Sequence, residues 1–405
     1  MAKFTYTAEN SDGEVYTSVA EAADRFELYK VVRGDGAKII SVKEDRSDNI
    51  WSFQYWNAKI ATVPEHQKIM FARNLGAMLT AGLSLARALS VLERQTRNAR
   101  LKKVIESLES DVRKGNPFHE AMEKFDNVFS NLFVAMVKSG EESGDLPGAL
   151  KGIAEQMNQS YNLKKKIRGA LIYPVIIVVA IIGIGVLMLT EVVPTLAQTF
   201  EEVGADLPAS TQALISLSNF LVEHTVISIA LLSTFFLILF FVLKTPFGKR
   251  AKDKLFISIP LIGTIVKEVN SARTARTLSS LLSSGVDVVT ALSITTEVVQ
   301  NSYFRRVLKD AAVSVQKGEA FAKPFMKNED LYPPLVAEMI SVGEETGALN
   351  DMLIQLAVFY EDEVSRKTKD MATVIEPFLM IIIGAAVGFF AISMISPIYS
   401  LSENF

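Results

Sequence analysis

Three long apolar stretches stand out against a chain whose other parts are amphipathic. They cover residues 171–190, 225–243 and 377–396, and none of them contains Asp, Glu, Lys or Arg. About 20 helical residues are needed to cross the ~30 Å hydrocarbon core of a bilayer. Buried core helices of soluble proteins rarely stay uncharged over such a length, so the pattern predicts three transmembrane helices.

The amphipathic parts of the chain contain a repeat with an ungapped offset of 203 residues. Gly115 recurs as Gly318, and Pro174 in the first apolar stretch recurs as Pro377 at the start of the third. In each copy, glycines and prolines divide apolar residues of helical spacing into short helices. The sequence therefore predicts two homologous bundles of about six helices, whose last helices enter the membrane near Pro174 and Pro377.

The first sixty residues follow a different pattern. Residues 3–19 alternate around a Ser-Asp-Gly turn like a hairpin, residues 21–36 have helical spacing, and residues 37–44 read as a third strand. This order predicts a small α+β appendage. The aromatic residues of the following linker could dock on a partner, lie along lipid headgroups, or pack on the first bundle.

Basic residues in the flanks predict the orientation of the spans. Lys and Arg cluster in residues 164–168, 244–254 and 365–370, whereas residues 191–224 contain acidic residues and no Lys or Arg. Basic flanks are retained in the cytoplasm. The expected topology has the N-terminus and both bundles in the cytoplasm and the C-terminus outside.

The expected fold class is mainly α, a polytopic membrane protein with two homologous cytoplasmic bundles, three transmembrane helices and the α+β appendage. The expected segments are the appendage (1–48), a linker (49–64), the first bundle (65–168), the first span (169–192), an external loop (193–222), the second span (223–243), the second bundle (244–372), the third span (374–396) and an external tail (397–405).

Composition narrows the possible chemistry. The 42 basic and 45 acidic residues nearly cancel, so no basic footprint for nucleic acid is present. The chain has no cysteine, and its histidines, His66, His119 and His224, lie far apart in sequence. No P-loop, nucleophile elbow, HExxH or dinucleotide-binding motif occurs, and the apolar spans have no charged residue at their centres. The N-terminus lacks the apolar core of a secretory signal, so we expect the chain to begin in the cytoplasm.

One acidic motif, Gly-Glu-Glu, occurs at the same place in both copies. It comprises Gly140, Glu141, Glu142 and Gly144 in the first copy, and Gly343, Glu344, Glu345 and Gly347 in the second. Small residues on both sides predict a tight helix-to-helix corner, with the carboxylates near the positive N-terminal end of the next helix. One glutamate of each pair would cap a helix while the other faces outward.

Two other interpretations of this motif remain open. The four glutamates, Glu141, Glu142, Glu344 and Glu345, could supply oxygen ligands to Ca²⁺ or Mg²⁺, although adjacent helical residues diverge by about 100° and one pair cannot complete a coordination shell. The glutamates could instead present negative charge to a basic partner, in which case reversing Glu141 or Glu344 should leave folding nearly intact.

Several motifs occur in both copies and in the same order. They are "FARNLGAMLTAGLSLARAL", "DVRKG", "MVKSGEESGDL" and "KIRGALIYP", with the second-copy partners "TARTLSSLLSSGVDVVTAL", "SVQKG", "MISVGEETGAL" and "VIEPFLM". These motifs resemble the type II secretion system F family, the inner-membrane platform proteins of type II secretion and type IV pilus assembly. The resemblance extends over roughly residues 60 to 400, in both copies and in order.

The resemblance implies a non-enzymatic protein of the bacterial inner membrane that uses no cofactor. Its cytoplasmic bundles would meet a hexameric pilus or secretion ATPase, and its membrane part would receive pilin or pseudopilin subunits. Other inner-membrane assembly proteins, membrane lipid and further copies of the chain are the other implied partners. A membrane receptor or a transporter-associated scaffold is the alternative function.

Overall fold

A computed structural model of the chain describes residues 2–9, 15–22, 32, 38–45, 62–203 and 207–403. The chain divides into two compact units, the first made of Met1–Pro64 and Leu89–Glu109, and the second of Glu65–Ala88 and Ser110–Phe405. The second unit contains both Gly-Glu-Glu motifs and all three apolar stretches.

The first unit contains a three-stranded antiparallel sheet in the order β2-β1-β3. Its strands are β1 (Ala2–Glu9), β2 (Val15–Ala22) and β3 (Lys38–Asp45). The predicted helix over residues 21–36 begins inside β2, and apart from Val32 its remaining part lies outside the described residues, as does most of the linker. The α+β character of the appendage therefore stays a prediction.

The first copy of the repeat comprises helices α1 to α6. They are α1 (Glu65–Thr80), α2 (Leu85–Gln95), α3 (Ala99–Arg113), α4 (Phe118–Glu123), α5 (Asn131–Glu142) and α6 (Leu146–Leu187). A π-helical turn, Met188–Val192, follows α6 without a break, and α7 (Val193–Val203) and α8 (Ala209–Glu223) come next. The second apolar stretch forms α9 (Thr225–Lys244).

The second copy repeats this order. It comprises α10 (Pro246–Ser258), α11 (Ile262–Ser283), α12 (Val288–Val298), α13 (Ser302–Gln316), α14 (Lys323–Met326), α15 (Pro334–Thr346) and α16 (Leu349–Glu403). Helices α12, α13, α15 and α16 each begin 203 residues after α2, α3, α5 and α6. The glycines with left-handed backbone also form pairs: Gly82 with Gly285, Gly115 with Gly318, and Gly144 with Gly347. The mainly helical class and the internal repeat are therefore confirmed.

Two neighbouring core positions hold different residue pairs in the two copies. In the second copy, the buried hydroxyls of Tyr332 and Thr274 lie 2.9 Å apart as a hydrogen bond. The equivalent residues of the first copy are Phe129 and Phe71, whose ring centroids lie 5.7 Å apart. A buried hydroxyl needs a partner, so the hydrogen bond of one copy is matched by an aromatic contact in the other.

Three helical segments are long and apolar enough to cross a membrane: Leu146–Phe200, Thr225–Lys244 and Leu349–Ile395. This agrees with the three predicted spans. The pair α10–α11 passes the same test only as a joined segment, and it is bent by 108°. Since α10 carries Lys249, Arg250, Lys252 and Lys254, we assign three spans.

The segment between the first two spans differs from the expected loop over residues 193–222. It forms α7 and α8, which pack on the far end of the third span around Val193, Phe200 and Met394. Ser218 donates a hydrogen bond to the Leu189 carbonyl at 2.5 Å. Apolar residues at helical spacing, such as those that surround this cluster, explain why the segment folds as helices.

Candidate functional site: the Gly-Glu-Glu corners

Both motifs form the predicted type of tight corner between two helices. In the first copy, α5 ends at Glu142, Gly144 has a φ of 77°, and Asp145 caps α6 by accepting a 2.9 Å hydrogen bond from the Gly148 N–H. In the second copy, Gly347 follows α15 with a φ of 71°. A left-handed residue at a helix end favours glycine, because a side chain there strains the backbone.

The first glutamate of each pair points back into its own copy. The Glu141 carboxylate accepts hydrogen bonds from the backbone N–H groups of Phe118 at 2.7 Å and His119 at 3.1 Å, and lies 2.6 Å from His119 Nδ1. Glu344 accepts equivalent bonds from Phe321 at 2.9 Å and Ala322 at 3.4 Å. Each glutamate therefore joins the corner to a segment more than twenty residues earlier.

This arrangement corrects two expectations about the corner. The N-terminal end that Glu141 contacts belongs to α4, which precedes the corner, whereas the sequence pattern suggested the helix that follows it. The second expectation, that Glu141→Lys leaves folding nearly intact, assumed an exposed carboxylate; because two backbone donors would lose their acceptor, we expect this substitution to lower folding stability. The same reasoning applies to Glu344.

The environment of Glu141 shifts its titration. Desolvation raises the pKa of this carboxyl, but hydrogen bonds from the Phe118 N–H, the His119 ring and the His119 N–H outweigh it and hold the pKa below its ordinary value. The charged form is therefore the one that the folded corner favours.

The second glutamate of each pair faces outward. The Glu142 side chain is 64% exposed and lies 3.9 Å from Lys138 one turn earlier. Glu345 is also exposed and accepts a 3.2 Å hydrogen bond from Ser341. Glu344 is exposed as well, but its carboxylate is engaged by the Phe321 and Ala322 N–H groups, so Glu142 and Glu345 are the carboxylates directed away from their own copy.

The first glycine of each motif lies where two helices approach closely. A Cβ atom on Gly140 would lie 2.3 Å from Ala149 Cβ and 3.1 Å from the Asp145 carbonyl oxygen. A Cβ on Gly343 would lie 2.8 Å from Leu349 Cα. The absence of a side chain at these positions brings α5 against α6, and α15 against α16.

Metal binding gains no geometric support within the described part of the chain. Between residues 62 and 203 and between 207 and 403, no three His, Asp or Glu side chains converge as ligands. Glu141 is turned towards His119, whereas Glu142 is turned outward.

The two prolines expected at the membrane entry lie inside α6 and α16, and both helices continue through them. Proline lacks an N–H, so the carbonyls of Ala170 and Thr373, four residues earlier, lose their helical donor. The role of Pro174 and Pro377 as entry points stays a prediction.

Sequence reasoning missed an ion pair that recurs in both copies. Lys164 Nζ lies 2.8 Å from the Glu65 carboxylate, and the equivalent Lys367 pairs with Glu268. Each pair joins an earlier helix, α1 in the first copy and α11 in the second, to the last helix of its copy, close to the expected membrane surface. Opposite charges 99 residues apart in both copies were the available signal.

Comparison with known proteins agrees with the resemblance. The family model described as "Type II secretion system (T2SS), protein F" matches residues 71–194 and again 274–397. Type IV pilus assembly protein PilC of Thermus thermophilus is 33% identical over 99% of this chain and 98% of its own length. PilC of Myxococcus xanthus is 30% identical over 99% and 95%, and type II secretion system protein F of Vibrio cholerae is 27% identical over 100% and 99%. With two matches in the register of the internal repeat, the chain belongs to the type II secretion system protein F family.

Proposed function

We propose that the chain is a non-enzymatic inner-membrane platform protein. It couples a hexameric cytoplasmic ATPase to the insertion of pilin or pseudopilin subunits into a type IV pilus or type II secretion filament. The observation that carries this proposal is the continuity of α6 and α16, which begin at the Gly-Glu-Glu corners and extend into the first and third spans. The names of the relatives support the same setting, since they refer to pilus assembly and type II secretion.

The proposed partners follow from the division of the chain between its bundles and spans. The bundles meet the ATPase and other inner-membrane assembly proteins, while the spans contact lipid, pilin subunits and further copies of the chain. The predicted segments, from the appendage at 1–48 to the tail at 397–405, define which part of the chain makes each of these proposed contacts.

Reporter fusions test the proposed topology. Fusions after residue 210 and at the C-terminus should report an external location, and fusions near residues 120 and 310 should report the cytoplasm. The physical reason is the cluster of Lys and Arg beside residues 164–168, 244–254 and 365–370. An external signal near residue 310 would overturn the arrangement in which both bundles face the ATPase.

The outward glutamates test the contact with the ATPase. The double variant Glu142→Lys/Glu345→Lys should keep normal membrane abundance, since exposed substitutions usually change stability by less than ~0.5 kcal/mol. It should lower filament or secreted-substrate yield about tenfold or more, because charge reversal turns attraction to a basic partner into repulsion. The measurement is filament yield normalised to the amount of protein in the membrane.

A matched control distinguishes an effect specific to the corners from a general effect of reversing surface charge. Glu106→Lys/Glu329→Lys reverses one exposed glutamate in each copy away from the corners, and its yield should stay near that of the unmodified chain. Normal yield from the corner variant at normal abundance would remove the corners from the partner contact.

A further inference from the structure

The two copies pack against each other through unlike faces. The first copy contributes its front face, which we define as Ser139 on α5 and Gly152, Glu155 and Gln156 on α6. The second copy contributes its rear face, which we define as Arg273, Arg276, Ser280 and Ser283 on α11 with Ser284 after it. The Ser139 hydroxyl donates a hydrogen bond to the Ser284 carbonyl, and a cavity of about 340 Å³ between the two faces is lined by Gly152 and Arg276.

Because the copies are equivalent, each chain also carries one unused face of each kind. The unused front face belongs to the second copy and consists of Val342, Gln355, Val358 and Phe359. The unused rear face belongs to the first copy and consists of Met70, Arg73, Ala77, Thr80 and Ala81. All nine of these residues are exposed.

Exposure changes sharply between equivalent front-face positions. Gln156, at the contact between the copies, is 4% exposed, whereas its counterpart Phe359 is 45% exposed. Val342 and Val358 are exposed by 48% and 46%. Large apolar side chains in neighbouring positions outside the predicted spans are typical of a surface that is covered in an assembly.

The unused faces are also chemically matched to each other. Within the chain, Gln156 and Arg273 line one cavity of about 610 Å³, and their counterparts are Phe359 and Met70, a pair of apolar residues. The hydrogen-bonded pair Ser139–Ser284 likewise corresponds to Val342 and Ala81. At both pairs of positions, polar residues at the contact inside the chain correspond to apolar residues on the unused faces.

A second chain that is related to the first as the second copy is related to the first copy can lie in the same membrane. Val193, after the first span, and Met394, near the end of the third, lie in one cluster, while Gly148, near the start of α6, and Ile354, near the start of α16, line the same cavity. The two spans therefore run in the same direction. Repeating the relation between the copies keeps the next chain in the same orientation across the bilayer.

We propose that the unused front face of one chain docks on the unused rear face of a second copy of this chain, repeating the contact between its own two copies. The contact is heterologous, so each added chain presents another free face, and the assembly closes as a ring or continues as an open array. This inference rests on the homo-oligomer of the proposed function and supplies its contact surface.

Cross-linking in membranes tests the proposal, because the chain has no cysteine of its own. Ala81→Cys is placed in one tagged chain and Val342→Cys in a differently tagged chain, and the two are expressed together and treated with a short bis-maleimide. We expect a mixed cross-linked dimer at several times the yield given by either variant alone. Ser139→Cys/Ser284→Cys in one chain is the geometric control and should cross-link internally.

Three outcomes would overturn the proposal in distinguishable ways. An oligomer on native gels without the mixed cross-link would reject these faces but leave the homo-oligomer. Equal cross-linking of Val342→Cys chains to themselves would indicate a two-fold contact instead. A monomer would reject both the faces and the homo-oligomer, but filament yield, which is measured separately, would still decide the platform role.

A second pair of variants tests the apolar side chains without cysteine geometry. Adding Phe359→Asp should lower the mixed cross-link about tenfold, since a charge buried in a contact costs affinity. Val313→Asp changes a residue that is 47% exposed on α13 and belongs to neither face, and it should leave the cross-link unchanged. An equal effect of both substitutions would contradict the assignment.

Discussion

The variant Gly140→Ala is expected to lose most of its membrane abundance. The new Cβ would lie 2.3 Å from Ala149 Cβ and 3.1 Å from the Asp145 carbonyl oxygen, so α6 would have to move away from α5. Overpacking of this kind costs roughly 1–3 kcal/mol or more, and backbone atoms cannot rotate away as a flexible side chain can. Abundance in the membrane and the unfolding temperature in detergent measure the effect.

Two further alanine variants make this result specific. Gly343→Ala should destabilise in the same direction, because its Cβ would lie 2.8 Å from Leu349 Cα. Gly169→Ala, inside α6 with no atom within 4 Å of the added Cβ, should be neutral or slightly stabilising, since alanine favours a helix over glycine by about 1 kcal/mol. Equal stability of all three variants would refute the close approach at the corners.

The variant Glu141→Ala is expected to be the most destabilising acidic substitution at the corners. It removes the acceptor of the Phe118 and His119 N–H groups, and a donor left without a partner costs about 1–3 kcal/mol. Glu141→Gln keeps one amide oxygen as an acceptor, so its stability should lie between that of the unmodified chain and that of Glu141→Ala. The free energy of unfolding, measured by denaturant titration in detergent, gives the order.

The stabilising effect of Glu141 should depend on pH in a defined direction. Its folded pKa is depressed, so its contribution is fully present above the pKa of the unfolded chain and is lost as pH falls through the folded value. The stability difference between the unmodified chain and Glu141→Ala should therefore persist at neutral pH and shrink in acid. Glu142→Ala is the matched control, because its exposed side chain should change stability by less than ~0.5 kcal/mol. A difference that grows in acid would contradict the assigned contacts.

The sequence alone predicts the large features of this fold because they depend on local or repeated signals. Uncharged stretches of membrane length identify the three spans without knowledge of any long-range contact. The offset of 203 residues, carried by pairs such as Gly144 and Gly347, identifies equivalent helices in the two copies. The corners follow from glycines at helix ends, whose left-handed backbone few other residues adopt.

The roles of the four glutamates depend on packing that no local pattern shows. Glu141 and Glu142 are identical neighbours, and only the position of Phe118, 23 residues earlier, makes the first an acceptor and leaves the second exposed. The helices α7 and α8 were missed for a related reason. Their acidic residues indicated an outer location, but their packing on Met394 joins parts of the chain almost two hundred residues apart.

The continuity of α16 has a mechanical consequence. Its 55 residues, Leu349–Glu403, form one helix from the second corner to the end of the third span. At 1.5 Å per residue this is a rod of about 80 Å, so a tilt of about 5° about one end displaces the other end by roughly 7 Å. A rotation of the second bundle that tilts α16 by this small angle thus displaces the far end of the third span by more than one helical turn, without any change in the internal structure of the helix.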